Sequence, residues 1–433
     1  MVRTAGIGGT SSVVVLDNGG GFCKAGMAGQ LEPTAVVPNC LARPRSSKKW
    51  LVGDQLQECD EIQAIALRRP VDRGYLISPE TEREIWERIF KIHLKINPSD
   101  CGLMLVDPLF HLPSTQRATD ELVFEDFGFQ SLCVGNAPVF THAYQAHKKP
   151  TSLLARSKCS LVVDSGFSFT HAGPVFQNRV VSGAVKRINL GGKALTNYLK
   201  ELVSYRAWNV MDETYIMEDV KEKLCFCSLD IVRDLTIARK KGKENSLQCK
   251  YVLPDGIKYM RGFVKDTSSA ALKADDSEDD DVEIMGGSNP RPRRTMPEKQ
   301  EEQELTLTNE RFLVPEMLFH PVDLGMNEAG LAECIVRAVN ACDSYLHPLL
   351  YSSVVLTGGN TLLPGFKERL ELELRPLVPD EFELHVDLVD SPIVAAWKGA
   401  SLMAASPDFQ GWCVTKAEYE EDGTLRCRQR FLH

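Results

Sequence analysis

The chain has 433 residues, a mass of 48.2 kDa and a formal net charge of −9 at pH 7. This length exceeds what a single hydrophobic core usually supports, so two or more lobes are expected. The acidic balance argues against a general DNA-binding surface, which needs a concentrated basic face, and it favours basic partners. No apolar run approaches the roughly 20 residues that cross a bilayer, so a soluble chain without membrane contact is expected.

The 13 cysteines are scattered through the sequence and include no Cys-x-x-Cys pair. The nearest spacing, Cys225-x-Cys227, places two thiols on opposite faces of a strand or too close together for a zinc chelate. The pattern therefore predicts reduced cysteines, most of them buried as small apolar residues.

The predicted elements alternate between strands and helices along the chain. Residues 13–37 alternate in the manner of a hairpin sheet, and Pro79 then opens an amphipathic helix with an acidic first turn at Glu80, Glu82 and Glu84. Farther along, the patterns predict a strand at 103–107 and helices at 114–127, 195–205 and 220–224. This alternation indicates an α/β protein.

Glycine-rich turns follow three apolar strands. The first contains Asp17-Asn18-Gly19-Gly20-Gly21-Phe22-Cys23-Lys24, the second Asp164-Ser165-Gly166-Phe167-Ser168, and the third Thr357-Gly358-Gly359-Asn360-Thr361. A strand that ends in small residues exposes backbone N–H groups that can wrap around phosphate oxygens. One Asp-Asn-Gly-Gly sequence alone is also an ordinary hairpin turn, but the repetition predicts a nucleotide held between two related halves.

A polar segment at 266–304 interrupts the α/β pattern. It contains the acidic block 275–281, an arginine cluster at 291–294 and a further run of glutamates. A segment with so little apolar content is predicted to be a disordered insertion, emerging from the tip of a hairpin between strands at 256–260 and 305–308. It is either a passive solvated loop or a docking segment for a basic partner such as a histone, with the arginines as a weak nuclear-import signal.

These residues resemble the actin family. Residues 17–26 are similar to its first phosphate loop, Lys221-Glu222-Lys223-Leu224-Cys225 to its adenine-side helix, and 356–361 with Pro364-Gly365 to its adenosine turn. Residues 68–76, 120–129 and 164–171 resemble a nuclear branch of actin-related proteins, in its plant forms. The resemblance covers nearly the whole chain apart from the first dozen residues and the acidic insertion.

The resemblance implies an α/β actin-like fold, of the type shared by actin, sugar kinases and heat-shock ATPases, with a nucleotide cleft between two related lobes. It places the small lobe at 13–152 plus 395–433, with a short exposed subdomain near 45–68, and the large lobe at 153–394. Residues 1–12 are expected to form a flexible N-terminus. The shortened subdomain removes a filament contact of the family, so a homopolymer is not expected.

The resemblance also implies ATP or ADP with Mg²⁺ in the cleft, bound without hydrolysis. Asp17 and Asp164 would contact the metal ion through water, and no residue would ligate it directly. Gly19 to Phe22 would offer backbone N–H groups to the phosphates, and Lys24 would add a positive charge beside the same oxygens. The implied nucleotide-binding residues are Asp17, Gly19, Gly20, Gly21, Phe22, Lys24, Asp164, Ser165, Gly166, Lys221, Glu222, Gly358, Gly359 and Asn360.

Several positions depart from the family pattern. Gly20 replaces a serine, while Phe167 and Ser168 replace an aspartate and a glycine. Asn136 stands where the family has its water-orienting glutamine, and a misplacement near 1 Å can cost on the order of 100-fold in rate. Leu363 and Ile393 occupy positions of adenine contacts. These departures predict binding without catalysis, and no catalytic residue is assigned.

The implied function is that of a largely non-catalytic subunit of a SWR-type chromatin-remodelling complex, which exchanges the Z variant of the 2A-class histone and so regulates transcription. The implied partners are other subunits of that complex, with histones as candidates for the acidic insertion and no direct DNA contact. The expected location is the nucleus, alone or shared with the cytoplasm. Alternatives are an ATP-hydrolysing enzyme of the same fold and a cytoplasmic filament-forming relative of actin.

Overall fold

A computed structural model describes residues 12–110, 112–265 and 302–431 of the chain. Its strands are β1 (Val13–Asn18), β2 (Phe22–Met27), β3 (Ala35–Pro38), β4 (Leu41–Arg43), β5 (Leu51–Val52), β6 (Ala66–Arg68), β7 (Val71–Asp72), β8 (Tyr75–Leu76), β9 (Gly102–Asp107), β10 (Ser131–Asn136), β11 (Cys159–Ser165), β12 (Thr170–Phe176), β13 (Arg179–Val180), β14 (Lys186–Ile188), β15 (Cys249–Val252), β16 (Phe263–Lys265), β17 (Glu304–Leu307), β18 (Val354–Thr357), β19 (Val386–Leu388) and β20 (Val414–Thr415).

The α-helices are α1 (Pro79–Arg88), α2 (Pro113–Glu121), α3 (Ala137–Lys148), α4 (Leu153–Ser157), α5 (Gly192–Arg206), α6 (Thr214–Leu224), α7 (Ile231–Ala238), α8 (Glu310–Phe319), α9 (Leu331–Asn340), α10 (His347–Tyr351), α11 (Phe366–Leu374), α12 (Ala395–Ala404), α13 (Lys416–Asp422) and α14 (Thr424–Phe431). Two π-helical segments, Ile89–Leu94 and Leu122–Asp126, continue α1 and α2. Together with these segments, α1 and α2 account for the helices predicted from Pro79 and at 114–127.

Two large sheets carry the fold. The first has the order β20-β10-β9-β1-β2-β3, and the second has the order β13-β12-β11-β18-β19 with β14 beside β12. Both contain the same local unit, because β1 forms a hairpin with β2 and lies parallel to β9, while β11 forms a hairpin with β12 and lies parallel to β18. The predicted α/β actin-like fold with related halves agrees with this topology.

Both faces of the first sheet are buried. Val14 and Leu16 pack with Trp86 on one face, while Val15 packs with Trp397 on the other. Parallel strands covered on both sides read as continuous apolar runs, which explains the sequence Val13 to Leu16. The indole of Trp397 also donates a hydrogen bond to the Val15 carbonyl (3.0 Å), and this bond fixes α12 against β1.

Helix α3 connects the two sheets. It follows β10 of the first sheet, and its His142 shares a 2.7 Å hydrogen bond with the hydroxyl of Ser160 in β11 of the second sheet. Helix α12 crosses α3 closely at Gly399, where a Cβ would lie 1.8 Å from the Phe140 carbonyl oxygen. This crossing therefore requires glycine.

The strands around the acidic insertion differ from the prediction. Residues 256–260 form a turn, because Oδ1 of Asp255 accepts from the backbone N–H groups of Ile257, Lys258 and Tyr259 at 2.8–2.9 Å. The strand before the insertion is β16, and β16 and β17 pair with opposite edges of β15 rather than with each other. The predicted hairpin tip is therefore wrong.

The predicted end of the insertion at residue 304 is also too late. Residues 302–304 are described, and Glu304 begins β17 and pairs with Lys250 at 2.8 Å. The acidic block, the arginine cluster and the rest of 266–301 lie outside the described residues, as do residues 1–11 of the predicted flexible N-terminus. All 13 cysteines are described, and they are free and mostly buried, as predicted.

Candidate nucleotide site between the two sheets

The first glycine turn is closed by its own backbone. The N–H of Gly19 donates to the Phe22 carbonyl (3.1 Å), and a Cβ at Gly19 would lie 2.9 Å from that oxygen. Asn39 holds the turn from behind, since its backbone N–H donates to Gly21 O (2.9 Å) and its side-chain amide to Gly19 O (3.0 Å). The prediction that Gly19 offers its N–H to a phosphate is therefore wrong, and Gly20, Gly21 and Phe22 remain as candidates.

Two carboxylates end the equivalent strands β1 and β11. Asp17 is 8% exposed and pairs with Lys24 across the hairpin at 3.1 Å. Burial, followed by the charge of Asp17, raises the pKa of Asp164 to about 6. Two carboxylates beside one lysine favour a cation, and Mg²⁺ characteristically keeps several of its waters. The site thus fits a hydrated metal ion held through water.

The second and third turns are fastened to each other. The side-chain amide of Asn360 donates to the Ser165 hydroxyl (3.1 Å) and to the Gly166 carbonyl (2.8 Å). Ser165 is fully buried and also bonds Thr170. Gly358 has φ +90°, and a Cβ there would lie 2.3 Å from the Ser165 carbonyl oxygen. Ser165 and Asn360, predicted as nucleotide ligands, therefore also position the turns.

The two residues of the predicted adenine-side pair differ in burial. Lys221 is buried, and its ammonium donates to the Gly192 carbonyl (3.1 Å) and to the Thr196 hydroxyl (3.0 Å). Burial lowers the pKa of Lys221. Glu222 is exposed on the same helix, and Gly359 faces open space. Lys221 thus holds the start of α5, while Glu222 and Gly359 are free to meet a ligand.

The second turn packs directly on the first. A Cβ at Gly20 would lie 2.6 Å from the Ser168 hydroxyl oxygen, and a Cβ at Gly21 would lie 3.1 Å from Cβ of Phe167. Phe167 and Ser168, the two residues at which the second turn departs from the family pattern, therefore face the phosphate loop. A phenyl ring cannot orient the water of a metal ion as a carboxylate does.

The position predicted to orient the hydrolytic water lies at the end of β10. Asn136 is opposite Asp107 in the parallel pairing with β9. Nearby on β12, His171 packs between the rings of Phe110 and Phe169. Burial and the charge of Arg187 lower the pKa of His171 to about 4, so this imidazole is neutral at pH 7.

Two contributors to the site were missed from the sequence. Arg69 stacks on the ring of Phe167 at 4.4 Å and pairs with Glu218 of α6 at 3.0 Å. Glu82, interpreted as part of the acidic first turn of an amphipathic helix, is fully buried behind the phosphate loop beside Asn39. Its spacing from Ile85, Trp86 and Ile89 on one helix face was the available signal.

Comparison with known proteins agrees with this geometry. The family model described as Actin matches residues 8–432. The chain is 56% identical over 437 residues to actin-related protein 6 of Oryza sativa subsp. japonica, covering 98% of this chain and 100% of the relative. It is 55% identical over 426 residues to actin-related protein 6 of Arabidopsis thaliana, with the same coverage.

A more distant relative shows how far the similarity extends. Actin-related protein 6 of Dictyostelium discoideum is 35% identical over 464 residues, covering 98% of this chain and 94% of the relative. None of the helices in the described ranges is long and apolar enough to cross a membrane. The family match over almost the whole length, together with the paired hairpins and glycine turns, establishes that the chain belongs to the actin family.

Proposed function

We propose that this chain is a largely non-catalytic, actin-related subunit of a SWR-type chromatin-remodelling complex, acting in complex assembly and histone-variant exchange in the nucleus. Its membership of the actin family and its similarity to plant proteins named actin-related protein 6 support this assignment. The resemblance of its motifs to a nuclear branch of the family supports the choice of complex. Its partners are then the other subunits of the remodeller.

One observation carries the non-catalytic assignment, namely the packing of Phe167 on the phosphate loop. A metal-assisted hydrolysis needs polar groups that orient the hydrated ion and the attacking water. Here the second turn presents a phenyl ring whose Cγ lies 3.2 Å from the Cβ position of Gly21, and Asn136 supplies a side chain shorter than glutamine. The residues of this chain thus hold a nucleotide better than they activate water.

The chain's residues fit ATP or ADP with Mg²⁺ as a structural ligand. The N–H groups of Gly20, Gly21 and Phe22 would hold phosphate oxygens, Lys24 would add charge, and Asp17 with Asp164 would hold the waters of the ion. A bound nucleotide supplies phosphate charge that links the two turns. A ligand that binds only the folded state stabilises it by mass action.

Contacts across the cleft support a scaffold role. The backbone N–H of Ala64 donates to Glu213 (2.9 Å), and Arg187 donates to the hydroxyl of Tyr75 (3.1 Å). The ring of Phe169 also fills the space beside Gly74. Side chains of the protein therefore hold the cleft closed, as expected of a platform that keeps one shape.

Co-purification tests the proposal. Full-length tagged protein, recovered from nuclear extract of the source organism, is expected to bring down the motor subunit of the remodeller and the variant histone. Nucleotide released from the same preparation is identified by mass spectrometry. Recovery of no remodeller subunit would contradict the assignment.

A measurement of ATP hydrolysis distinguishes a non-catalytic scaffold from an ATP-hydrolysing enzyme. The purified chain is expected to release no phosphate from ATP above the level of the Asp17→Ala variant. Turnover that is present in the unaltered chain and lost in Asp17→Ala would favour the enzyme alternative. The Phe167→Asp/Asn136→Gln double variant, which restores the family residues, shows whether these two positions are what prevents hydrolysis.

A further inference from the structure

We propose that the cleft selects a nucleoside diphosphate over a triphosphate, because Phe167 closes the phosphate end of the site and Arg69 holds it there. This inference rests on the proposed nucleotide site and specifies its ligand. Three observations support this selectivity: the contacts between the two turns, the anchoring of the Phe167 ring, and the ion pairs around it.

The two turns approach each other closely at this end of the cleft. A Cβ built on Gly21 would lie 3.1, 3.2 and 3.3 Å from Cβ, Cγ and Cδ2 of Phe167, and one built on Gly20 would lie 2.6 Å from Oγ of Ser168. Ordinary carbon contacts are about 3.5–4.0 Å, so Phe167 already fills the Cβ position of Gly21 and no further group fits there. A third phosphate would have to displace the phenyl ring.

The phenyl ring is also held by the side chain of Arg69. The guanidinium of Arg69 lies 4.4 Å from the ring centroid, a distance typical of a cation–π contact. Arg69 is in turn fixed by Glu218, with Nη2 at 3.0 and 3.3 Å from the two carboxylate oxygens. Both side chains are less than one fifth exposed. Moving Phe167 aside therefore costs the stacking contact and disturbs a largely buried ion pair.

The basic side chains at this end of the cleft are already paired with carboxylates. Lys24 pairs with Asp17, Arg69 with Glu218, and Lys193 with Asp72. A terminal phosphate would bring additional negative charge next to cations that these carboxylates already neutralise. Beyond Phe167 lies a cavity of about 280 Å³ bordered by Arg69, Lys193 and Glu218. Removing the phenyl ring would join this cavity to the phosphate loop.

Calorimetric titration of the nucleotide-stripped full chain with ADP and with ATP, each with Mg²⁺, tests the inference. The unaltered protein is expected to bind ADP at least about tenfold more tightly than ATP. Phe167→Gly is expected to bring this ratio close to one through a rise in ATP affinity. Arg69→Ala is expected to give an intermediate ratio, because it frees the ring without removing it. Phe263→Ala, which truncates a partly exposed phenyl group on β16, serves as the matched control and should keep the ratio of the unaltered protein.

The outcomes distinguish the inference from the proposed site. Equal affinities for ADP and ATP in the unaltered protein would overturn the selectivity and leave nucleotide binding intact. An unchanged ratio in Phe167→Gly would overturn the role of the phenyl ring. Binding of neither nucleotide would overturn both the site and the inference. Thermal unfolding of each variant without nucleotide verifies that a lost signal does not reflect a lost fold.

Discussion

Glu82 is a carboxylic acid placed inside the protein directly behind the phosphate loop. It has no exposed surface, and its Oε2 atom has no hydrogen-bond partner among the described residues. The amide of Asn39 approaches Oε1 only at 3.5 Å while it bonds the Gly19 carbonyl at 3.0 Å. Burial raises the pKa of Glu82 to about 7, against the opposing effect of neighbouring donors. The protonation state of this residue is therefore coupled to the stability of the fold.

The raised pKa of Glu82 determines how the stability of the fold changes with pH. An acid whose pKa is higher in the folded state than in the unfolded state stabilises the fold below its unfolded pKa. That contribution is lost as the pH rises through about 7. The unfolding free energy of the unaltered protein should thus fall between pH 5 and pH 8 relative to Glu82→Gln, by on the order of 3 kcal/mol.

Urea denaturation at pH 5 and pH 8 measures this difference. Glu84→Gln removes an exposed carboxylate of the same helix and is the matched control, with a small and nearly pH-independent effect expected. A Glu82→Gln effect that is equal at both pH values would contradict the raised pKa.

At the residue scale, the sequence predicts site residues that are adjacent in the chain and misses contacts between residues that are far apart in it. Asp17, Asp164 and the glycine turns could be identified because a strand, an aspartate and small residues are adjacent in the chain. The contact of Phe167 with Gly21 could not, since it depends on how two sheets face each other. For the same reason the sequence does not predict that Asn360 joins the third turn to Ser165 and Gly166 of the second.

At the scale of elements, a buried ion pair joins α8 to α11. Arg369 is 6% exposed and contacts both oxygens of Glu316 at 2.7 and 3.0 Å. It also bonds Glu373 of its own helix at 2.8 Å and donates to the Ser228 carbonyl. Removing one partner of such a pair leaves an uncompensated buried charge, which is strongly destabilising.

Arg369→Ala is accordingly expected to lower the unfolding free energy by about 3–5 kcal/mol. Lys367→Ala is the matched control, because Lys367 forms a longer and more exposed pair with Glu371 (3.8 Å) on the same helix and such pairs contribute about 0.5 kcal/mol. Chemical denaturation of both variants at neutral pH makes the comparison. Similar losses in the two variants would show that the buried pair does not join the helices as described.

Most helices and strands could be predicted where apolar residues recur at a regular spacing. The wrong predictions have local causes. The helix at 195–205 lies within α5 because its apolar positions recur at helical spacing. The expected strand at 256–260 fails because the Asp255 carboxylate captures three successive backbone N–H groups, which a strand would use for pairing. A single side chain thus replaced a strand with a turn.

At the scale of the molecule, two halves could be predicted from the chain length and the repeated turns, but not how firmly they meet. Arg261 reaches from the loop after β15 to the carbonyl oxygens of Gln57 (2.7 Å) and Cys59 (2.9 Å), while its guanidinium lies 5.7 Å from the ring of Tyr215. This one side chain ties the small segment around the Gly53–Leu56 turn to the opposite half.

Arg261→Ala should therefore loosen that segment without unfolding either sheet. Amide hydrogen exchange across residues 53–65 is expected to accelerate about tenfold, which corresponds to a loss of about 1.4 kcal/mol in local stability. Amides of β11 and β18 should keep their protection, because they belong to the buried second sheet. Lys258→Ala is the control, since Lys258 pairs with Glu302 within its own half. Unchanged exchange at 53–65 would mean that the remaining contacts across the cleft hold the segment without Arg261.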